Sequence, residues 1–382
     1  MTDIRILDSL ESISPDEWNS LGDHAARSNP FLKHEFLHAL HTSGCVGGNT
    51  GWIPQFLTTW TDKDSTTSLT GAMPLYIKQH SYGEYVFDWA WADAYQRSGL
   101  GYYPKLLSAI PFSPITGQRI LAINNAERSR LIDAAIQLAA DFSSLHILFP
   151  TAAEGEELEK KGLMLRRNVQ FHWQNQNYDN FEHFLSALSS SKRKKIRQER
   201  RRVTDTGVRF RVLEGKDIAE SDWDFFGRCY ARTYREHGSM PYLNRAFFGL
   251  IGQSMPENLL LIVADLDDKP VASALNFMSQ DVLFGRYWGS VQHIPMLHFE
   301  TCYYQAIEYC INQKIAVFEG GAQGEHKLSR GFLPVETLSA HWLAHPEFSS
   351  AVKRFLDRES TGIENYVDEL NERAPFRKSA PD

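Results

Sequence analysis

Cysteine is scarce in this chain: Cys45, Cys229, Cys302 and Cys310 are the only four in 382 residues, and no two form a CxxC pair. That excludes a zinc ribbon, a thioredoxin-type redox motif and a disulfide-stapled secreted scaffold, and makes reduced thiols of a cytoplasmic protein the expectation. Long apolar runs are missing too. Nowhere do about 18 apolar residues follow one another without charges, as a spanning helix would need. The sequence opens Met1-Thr2-Asp3-Ile4-Arg5, without the basic-then-apolar pattern of a signal peptide. A cytoplasmic protein with no integral membrane association is expected. With 42% hydrophobic and 23% charged residues, disorder, collagen and coiled coil are excluded, and the length suits two domains.

The formal charge of −7 conceals an asymmetry. Lys192–Arg202 holds eight basic residues and one acid, Glu199, and without it 32 basic residues face 46 acidic ones. Such a cluster attracts polyanions locally, whatever the global sign. Lys192, Arg193, Lys194, Lys195, Arg197, Arg200 and Arg201 are therefore candidate phosphate or nucleic-acid contacts; the alternative is a solvated helix face. Phe181, Phe184, Leu185 and Leu188 precede the run at spacings of three and four, so a helix starts near Asp179 or Asn180. If it continues, the arginines project from a rigid rod.

The pattern predicts, before the basic run, a helix over 30–42, strands over 53–60 and 69–78, a helix over 126–141 and a strand over 146–149. After it come helices around 222–237 and 244–253, strands over 259–266, 271–278 and 282–288, a helix over 299–312 and a strand over 316–319. Asp267-Asp268-Lys269-Pro270 reads as the turn of a hairpin. Both halves thus read as a mixed sheet with helices on its faces.

Three motifs carry candidate chemistry. His34-Glu35-Phe36-Leu37-His38 fits H-E-x-x-H, the pattern of a zinc hydrolase, although no third ligand stands out downstream, which favours an amphipathic helix with wet histidines. Gln96-Arg97-Ser98-Gly99-Leu100-Gly101 could cradle a phosphate, but the segment beyond Pro104 looks extended rather than helical, which favours a surface turn. The densest polar stretch is Glu319–Phe332. There Gly320, Gly321 and Gly324 allow close backbone approach, while Glu319, Gln323, Glu325, His326, Lys327 and Arg330 supply acceptors, bases and cations. Its alternative is a solvated charged turn. A second polar group, His298, Glu300, Tyr303 and Tyr304, opens the preceding helix, and Arg286-Tyr287-Trp288 ends the strand before that. In a mixed sheet of this order these segments can converge at the open end.

The stretches NPFLKHEFLHAL (29–40), PFSPITGQRIL (111–121), HILFPT (146–151) and FHWQNQNYDNFEHFLSALSSSKRKKIRQERR (171–201) resemble the FemAB-like proteins of the GNAT acyltransferase superfamily. So do SMPYL (239–243), FGRYWG (284–289), LHFETCYYQAIEY (297–309) and FEGGAQGEHKLSRGFLP (318–334). The resemblance implies an α+β fold of two tandem GNAT-like domains, 1–178 and 179–382, each a mixed sheet flanked by helices. It implies transfer of an acyl or aminoacyl group to a small-molecule or peptide amine, linked to peptidoglycan or cell-wall precursors. Acyl-CoA or aminoacyl-tRNA would be the co-substrate, with no tightly bound cofactor and no metal, and the basic helix would contact tRNA. Relatives carry a Phe-Lys pair whose lysine meets the reacting carbonyl; GEHKLSRGF places Lys327 there and His326 in place of the aromatic. No glycine-rich coenzyme A loop comes after Trp288. The implied site has Lys327, Glu325 and His326 as catalytic groups. Arg286, Trp288, His298, Glu300, Tyr303, Glu319, Gly320, Gly321, Gln323, Gly324, Arg330 and Tyr242 are its substrate contacts. A non-catalytic RNA- or precursor-binding protein on the same fold is the alternative.

Overall fold

The computed structural model describes residues 2–24, 28–63, 66–322 and 324–377. The chain divides into two compact units. One runs up to Val169 and includes Glu336–Asn365; the other is Gln170–Val335 with the residues from Tyr366 on. The expected division is at 178/179, whereas the first crossing falls between Val169 and Gln170. The return of Glu336–Asn365 to the first unit was not anticipated, because it depends on pairing: Ser339–Leu343 lie antiparallel to Ser144–Leu148, and no local pattern specifies that partner.

In the first unit the expected strands are broken at prolines. Trp52–Pro54 and Phe56–Lys63 stand in different sheets, as do Thr66–Met73 and Tyr76–Lys78, with Pro54 and Pro74 at the breaks. A residue without an N–H cannot continue a ladder, so the chain changes sheets there. Helix Asn125–Ala139 covers a core that includes Leu57, Met73, Leu106, Leu131, Leu145 and Ile147. Two strands run parallel: β1 (Lys105–Ser108) and β2 (Ser144–Leu148). The loop beyond β1 folds over their ends. Ala109, Ile110, Phe112, Ile115 and Phe149 are buried there, and the buried Arg119 donates to the carbonyls of Leu148 at 2.8 Å, Gly117 and Gln118 at 2.9 Å, and Ile115.

In the second unit a helix does start where Asn180 caps it, its side chain accepting from His183 N–H at 2.9 Å. It does not continue into the basic run. Phe181–Ala187 ends at an extended Leu188, and a separate helix α1 (Ser190–Thr204) begins after Ser189. Helices α2 (Glu220–Glu236) and α3 (Arg245–Ser254) come next. Leu259–Leu266 and Lys269–Met278 form the expected hairpin, with Asp267 and Asp268 both at positive φ, as its tight turn demands. Lys269–Met278 then pairs antiparallel with β3 (Val282–Ser290). The chain returns through helix α4 (297–312) to β4 (Val317–Glu319), which is parallel to β3 and antiparallel to Gln174–His172. Residues 300–304 of α4 wind as a π-helical turn, a departure that recurs at functional sites.

Candidate active site

The parallel pair β3/β4 is short. Val282, Leu283 and Phe284 face Val317, Phe318 and Glu319, after which β4 ends and β3 runs on to Ser290. A wedge opens between them. On the other side of β3, Leu275 pairs with Tyr287 and Asn276 with Gly285, so Arg286 is the extra residue of a β-bulge. Bulges re-aim side chains; here Gly285, Arg286, Tyr287 and Trp288 all line one cavity of about 90 Å³ instead of alternating faces. Ala274, Leu275, Asn276, Phe318 and Gly320 complete its sheet side, and His298, Cys302 and Tyr303 of α4 close it. Tyr287 in turn packs against Tyr230 and Phe248, ring centres 5.3 and 6.2 Å away. Those two rings line a second hollow of about 670 Å³ between α2 and α3, with Arg228, Arg235, Pro241 and Leu243.

The polar stretch after β4 turns at Gly321 and Gly324, whose φ values of +83° and +115° lie where other side chains strain. It winds one short helix, Glu325–Arg330, that carries Lys327 beside the wedge. A methyl group on Gly320 would meet the Phe332 ring at 2.8 Å and the Lys327 stem at 3.4 Å, so the bare glycine makes room for the lysine. Lys327 is 2% exposed and donates from Nζ to the Gly321 carbonyl at 2.8 Å. Burial lowers its pKa to about 8, and the Arg286 charge pushes the same way against a smaller opposite effect of Cys302. His326 is exposed and lies 3.1 Å from the Tyr303 hydroxyl through Nε2. Partial desolvation, Arg330 and Lys327 lower its pKa, so its imidazole is neutral at pH 7. His298, stacked edge-on to Trp288 at 5.2 Å, is driven down to about 4, first by burial and then by His326.

Arg330 is committed to the protein. It forks onto the buried Glu199 at 2.9 and 3.0 Å, lies over the Phe299 ring at 3.5 Å, and donates to the His326 carbonyl at 2.7 Å. The Tyr304 hydroxyl also donates to Glu199. The one acid of the basic run therefore fixes α1 to the glycine-rich turn, on a buried stripe of Ile196, Glu199 and Val203. Arg200 shares that side, bound to Glu300 and to Glu308 at 2.8 Å and lying over Phe181. The exposed side of α1 presents Lys194, Lys195, Arg197 and Arg201, with Lys192 and Arg193 half-buried; Arg197 pairs with Glu182 and Arg201 with Asp205.

Several expected contacts point elsewhere. The exposed Glu325 carboxylate accepts from the Tyr366 hydroxyl at 2.7 Å and from Arg373, which hold its pKa down and turn it from the wedge. Glu300 faces Arg200 and Gln305. Glu319, between the cavity-lining Phe318 and Gly320, lies 4.0 Å from His172. Tyr242 packs on Tyr234 beside the larger hollow, and Gln323 falls outside the described residues. The H-E-x-x-H helix is structural: His34 Nε2 lies 3.1 Å from the Leu10 carbonyl, while Glu35 accepts from Asn19 at 3.0 and 3.2 Å. Gln96–Gly101 closes a helix, Trp89–Arg97, rather than opening one, so it lacks the N–H groups that bind phosphate. Sequence reasoning missed Asn276, Cys302 and Phe318, whose convergence depends on the bulge and the π-turn, and Glu199, whose isolation among cations was visible.

Residues 9–378 match the FemAB-like family profile, described as peptidoglycan biosynthesis/recognition, and the chain belongs to that family. Among solved structures it is similar to FemX, at 11% identity over 88% of this chain and 98% of that one, with a TM-score of 0.54. It is also similar to L-PGS from Bacillus licheniformis, at 9% identity over 90% and 97% of the two chains, TM-score 0.52. A third is the C-terminal domain of a putative lysylphosphatidylglycerol synthetase from Agrobacterium fabrum, at 10% identity over 77% and 86%, TM-score 0.50. No curated protein matches the sequence. At these identities the likenesses establish the α+β fold with mixed sheets flanked by helices; the family match adds a peptidoglycan-related role. Among the described residues no helix is long and apolar enough to cross a membrane.

Proposed function

We propose that the chain is an N-acyltransferase that moves an acyl or aminoacyl group onto an amine of a cell-wall precursor. The observation that carries this reading is Lys327: a buried ammonium held by a single carbonyl hydrogen bond, at the edge of a small cavity where a parallel strand pair separates. The donor carbonyl sits in the wedge. An acceptor amine attacks it, and the oxyanion that forms is stabilised by the Lys327 ammonium and by backbone N–H groups of the glycine-rich turn. The neutral His326 takes the amine's proton, a role for which Glu325, ionised and turned to Tyr366 and Arg373, is badly placed. The oxyanion then collapses, and the donor's sulfur or ribose oxygen leaves as thiol or hydroxyl by taking the proton from His326, which returns to its neutral form. Cys302 makes no covalent intermediate, since burial raises its thiol pKa. The larger hollow on the far side of Tyr287 suits the acceptor, and the exposed basic side of α1 suits a polyanionic donor such as acyl-CoA or aminoacyl-tRNA.

The test is transfer itself. Purified protein is given a panel of acyl-CoA thioesters and aminoacyl-tRNAs with a stem-peptide amine acceptor, and products are read by mass spectrometry. Transfer abolished in Lys327→Ala supports the reading. Salt-sensitive RNA binding without turnover from any donor would replace it with a binding protein on the same fold.

A further inference from the structure

The charges and size of the wedge select what can be transferred. We infer that the cavity takes a short acyl group bearing a negative charge or none, and rejects one that ends in an ammonium. This rests on the acyl-transfer reading for what the cavity holds, but its physical content is independent of turnover.

Size comes first. The cavity measures about 90 Å³, whereas a cavity of about 150 Å³ holds benzene, so by that scale about three or four non-hydrogen atoms fit. A methyl, an ethyl or a CH2–COO⁻ group enters; the side chain of a lysyl group does not.

Charge decides the rest. Arg286 lines the cavity as the bulge residue, and Lys327 stands against it across Gly320. No carboxylate stands among the lining residues. The acids close by in the chain have partners elsewhere: Glu300 in Arg200, Glu199 in Arg330, Glu325 in Tyr366 and Arg373, while Glu319 lies 4.0 Å from His172. His298, the remaining titratable group beside Trp288, is neutral at pH 7 and contributes no charge. The other lining residues from the sheet are apolar, aromatic or amide, among them Ala274, Leu275, Asn276 and Phe318. An anionic or neutral group gains from this field, whereas an ammonium meets two cations in a site largely stripped of water, where Coulomb repulsion is strongest.

Cys302 allows a direct measurement, because it lines the cavity and is half-exposed while Cys45, Cys229 and Cys310 are buried. Burial keeps its thiol largely protonated, so labelling is slow and runs through the small thiolate fraction, which displaces halide from an alkyl halide to give a thioether. The probes are iodoacetate and 2-bromoethylamine, which add groups of four and three non-hydrogen atoms, each rate divided by that with 2-mercaptoethanol, and labelling is assigned by its loss in Cys302→Ser. The expected result is a normalised preference of about tenfold or more for the anionic probe, shrinking towards unity in Arg286→Gln and in Lys327→Met. A preference at or below unity in the wild type would overturn the inference. Should Cys302 be silent, Ala274→Cys reads the sheet side, and silence there as well would mean that the cavity admits no such group, which also overturns it. Anionic preference without transfer from any donor would leave the inference standing and remove the acyltransferase reading. Efficient transfer of glycyl or lysyl groups at rates matching acetyl would do the reverse.

Discussion

Of the three buried lysines among the described residues, Lys78, Lys105 and Lys327, the last two stand in different units and have opposite surroundings. Lys105 of β1 is fully buried and its ammonium is saturated, with Ser81 and Glu84 at 2.8 Å and Asp88 in contact. Burial lowers its pKa, but Glu84 and Asp88 more than offset that and raise it. Lys327 is as deeply buried and has one carbonyl and no carboxylate, so burial prevails and its pKa falls to about 8. The two strand wedges differ in the same sense. Beyond β1/β2 the space is plugged by the loop around Arg119, whose guanidinium serves four carbonyls; beyond β3/β4 it is a cavity with cations at its edge. A saturated buried charge stabilises one arrangement, whereas an unsaturated one is poised to meet a charge that arrives or develops.

The sharpest way to break this contrast is to replace each lysine by methionine. Lys105→Met leaves Asp88 buried without its cation and Glu84 with only Lys78, 3.8 Å away, and breaking a buried pair in this way costs about 3–5 kcal/mol. Denaturant unfolding should show a loss of that size; a loss under about 1 kcal/mol would mean the network is not structural. Lys327→Met should leave the unfolding midpoint unchanged or raised, because it removes a desolvated charge with no counter-ion. Its effect belongs to turnover: a fall on the order of 10²–10³, about 2.7–4 kcal/mol of transition-state stabilisation. Equal stability losses in the two variants would erase the distinction between the units.

How much of this contrast the sequence displays depends on the range of the forces involved. The glycine-rich stretch around Lys327 could be read locally, since three glycines among charged residues after a strand already imply close backbone approach. The hairpin at Asp267-Asp268 was equally local. Lys105 carried no signal, because its partners lie 17 and 21 residues away on a loop. Arg286 was recognised as a polar residue at a strand end, but its aim depends on a bulge, a mismatch between two strands that one strand's sequence does not encode. The split of the basic segment into a helix of its own was visible in Ser189-Ser190-Ser191, residues that favour starting a helix. It was overridden by the apolar spacing before it. The inward commitment of Arg200 and Arg330 was not legible, since their partners lie 100 and 131 residues distant.

A finer test uses pH. His326 acts as a base only when neutral, so activity should rise with pH through a pKa below 6.5. Lys327 stabilises an oxyanion only when protonated, so activity should fall as pH passes about 8. Lys327→Met should lose the alkaline limb and keep the acid one. Stability moves in the opposite direction on the alkaline side. The folded Lys327 gives up its proton near 8 while the unfolded lysine holds it to about 10.5, so the unfolded chain binds more protons in that window and folding is favoured as pH rises through it. An alkaline loss of activity that tracks loss of structure would contradict both statements.

The smallest expected effect lies between two neighbours on one turn. Glu325 and His326 are adjacent, both acceptors, and both plausible bases by composition. Glu325 is exposed and bound to Tyr366 and Arg373, whereas His326 reaches Tyr303, which lines the cavity. Glu325→Gln keeps an acceptor for Tyr366, so turnover should change by less than about twofold, as is usual for surface substitutions. His326→Gln keeps the size and a polar contact to Tyr303 but has no titratable nitrogen. It should lower the rate by on the order of 10² or more and abolish the acid limb of the pH profile. If Glu325→Gln removed that limb instead, the carboxylate would have to swing from Tyr366 towards the wedge during turnover, and the division of roles along this turn would be reversed.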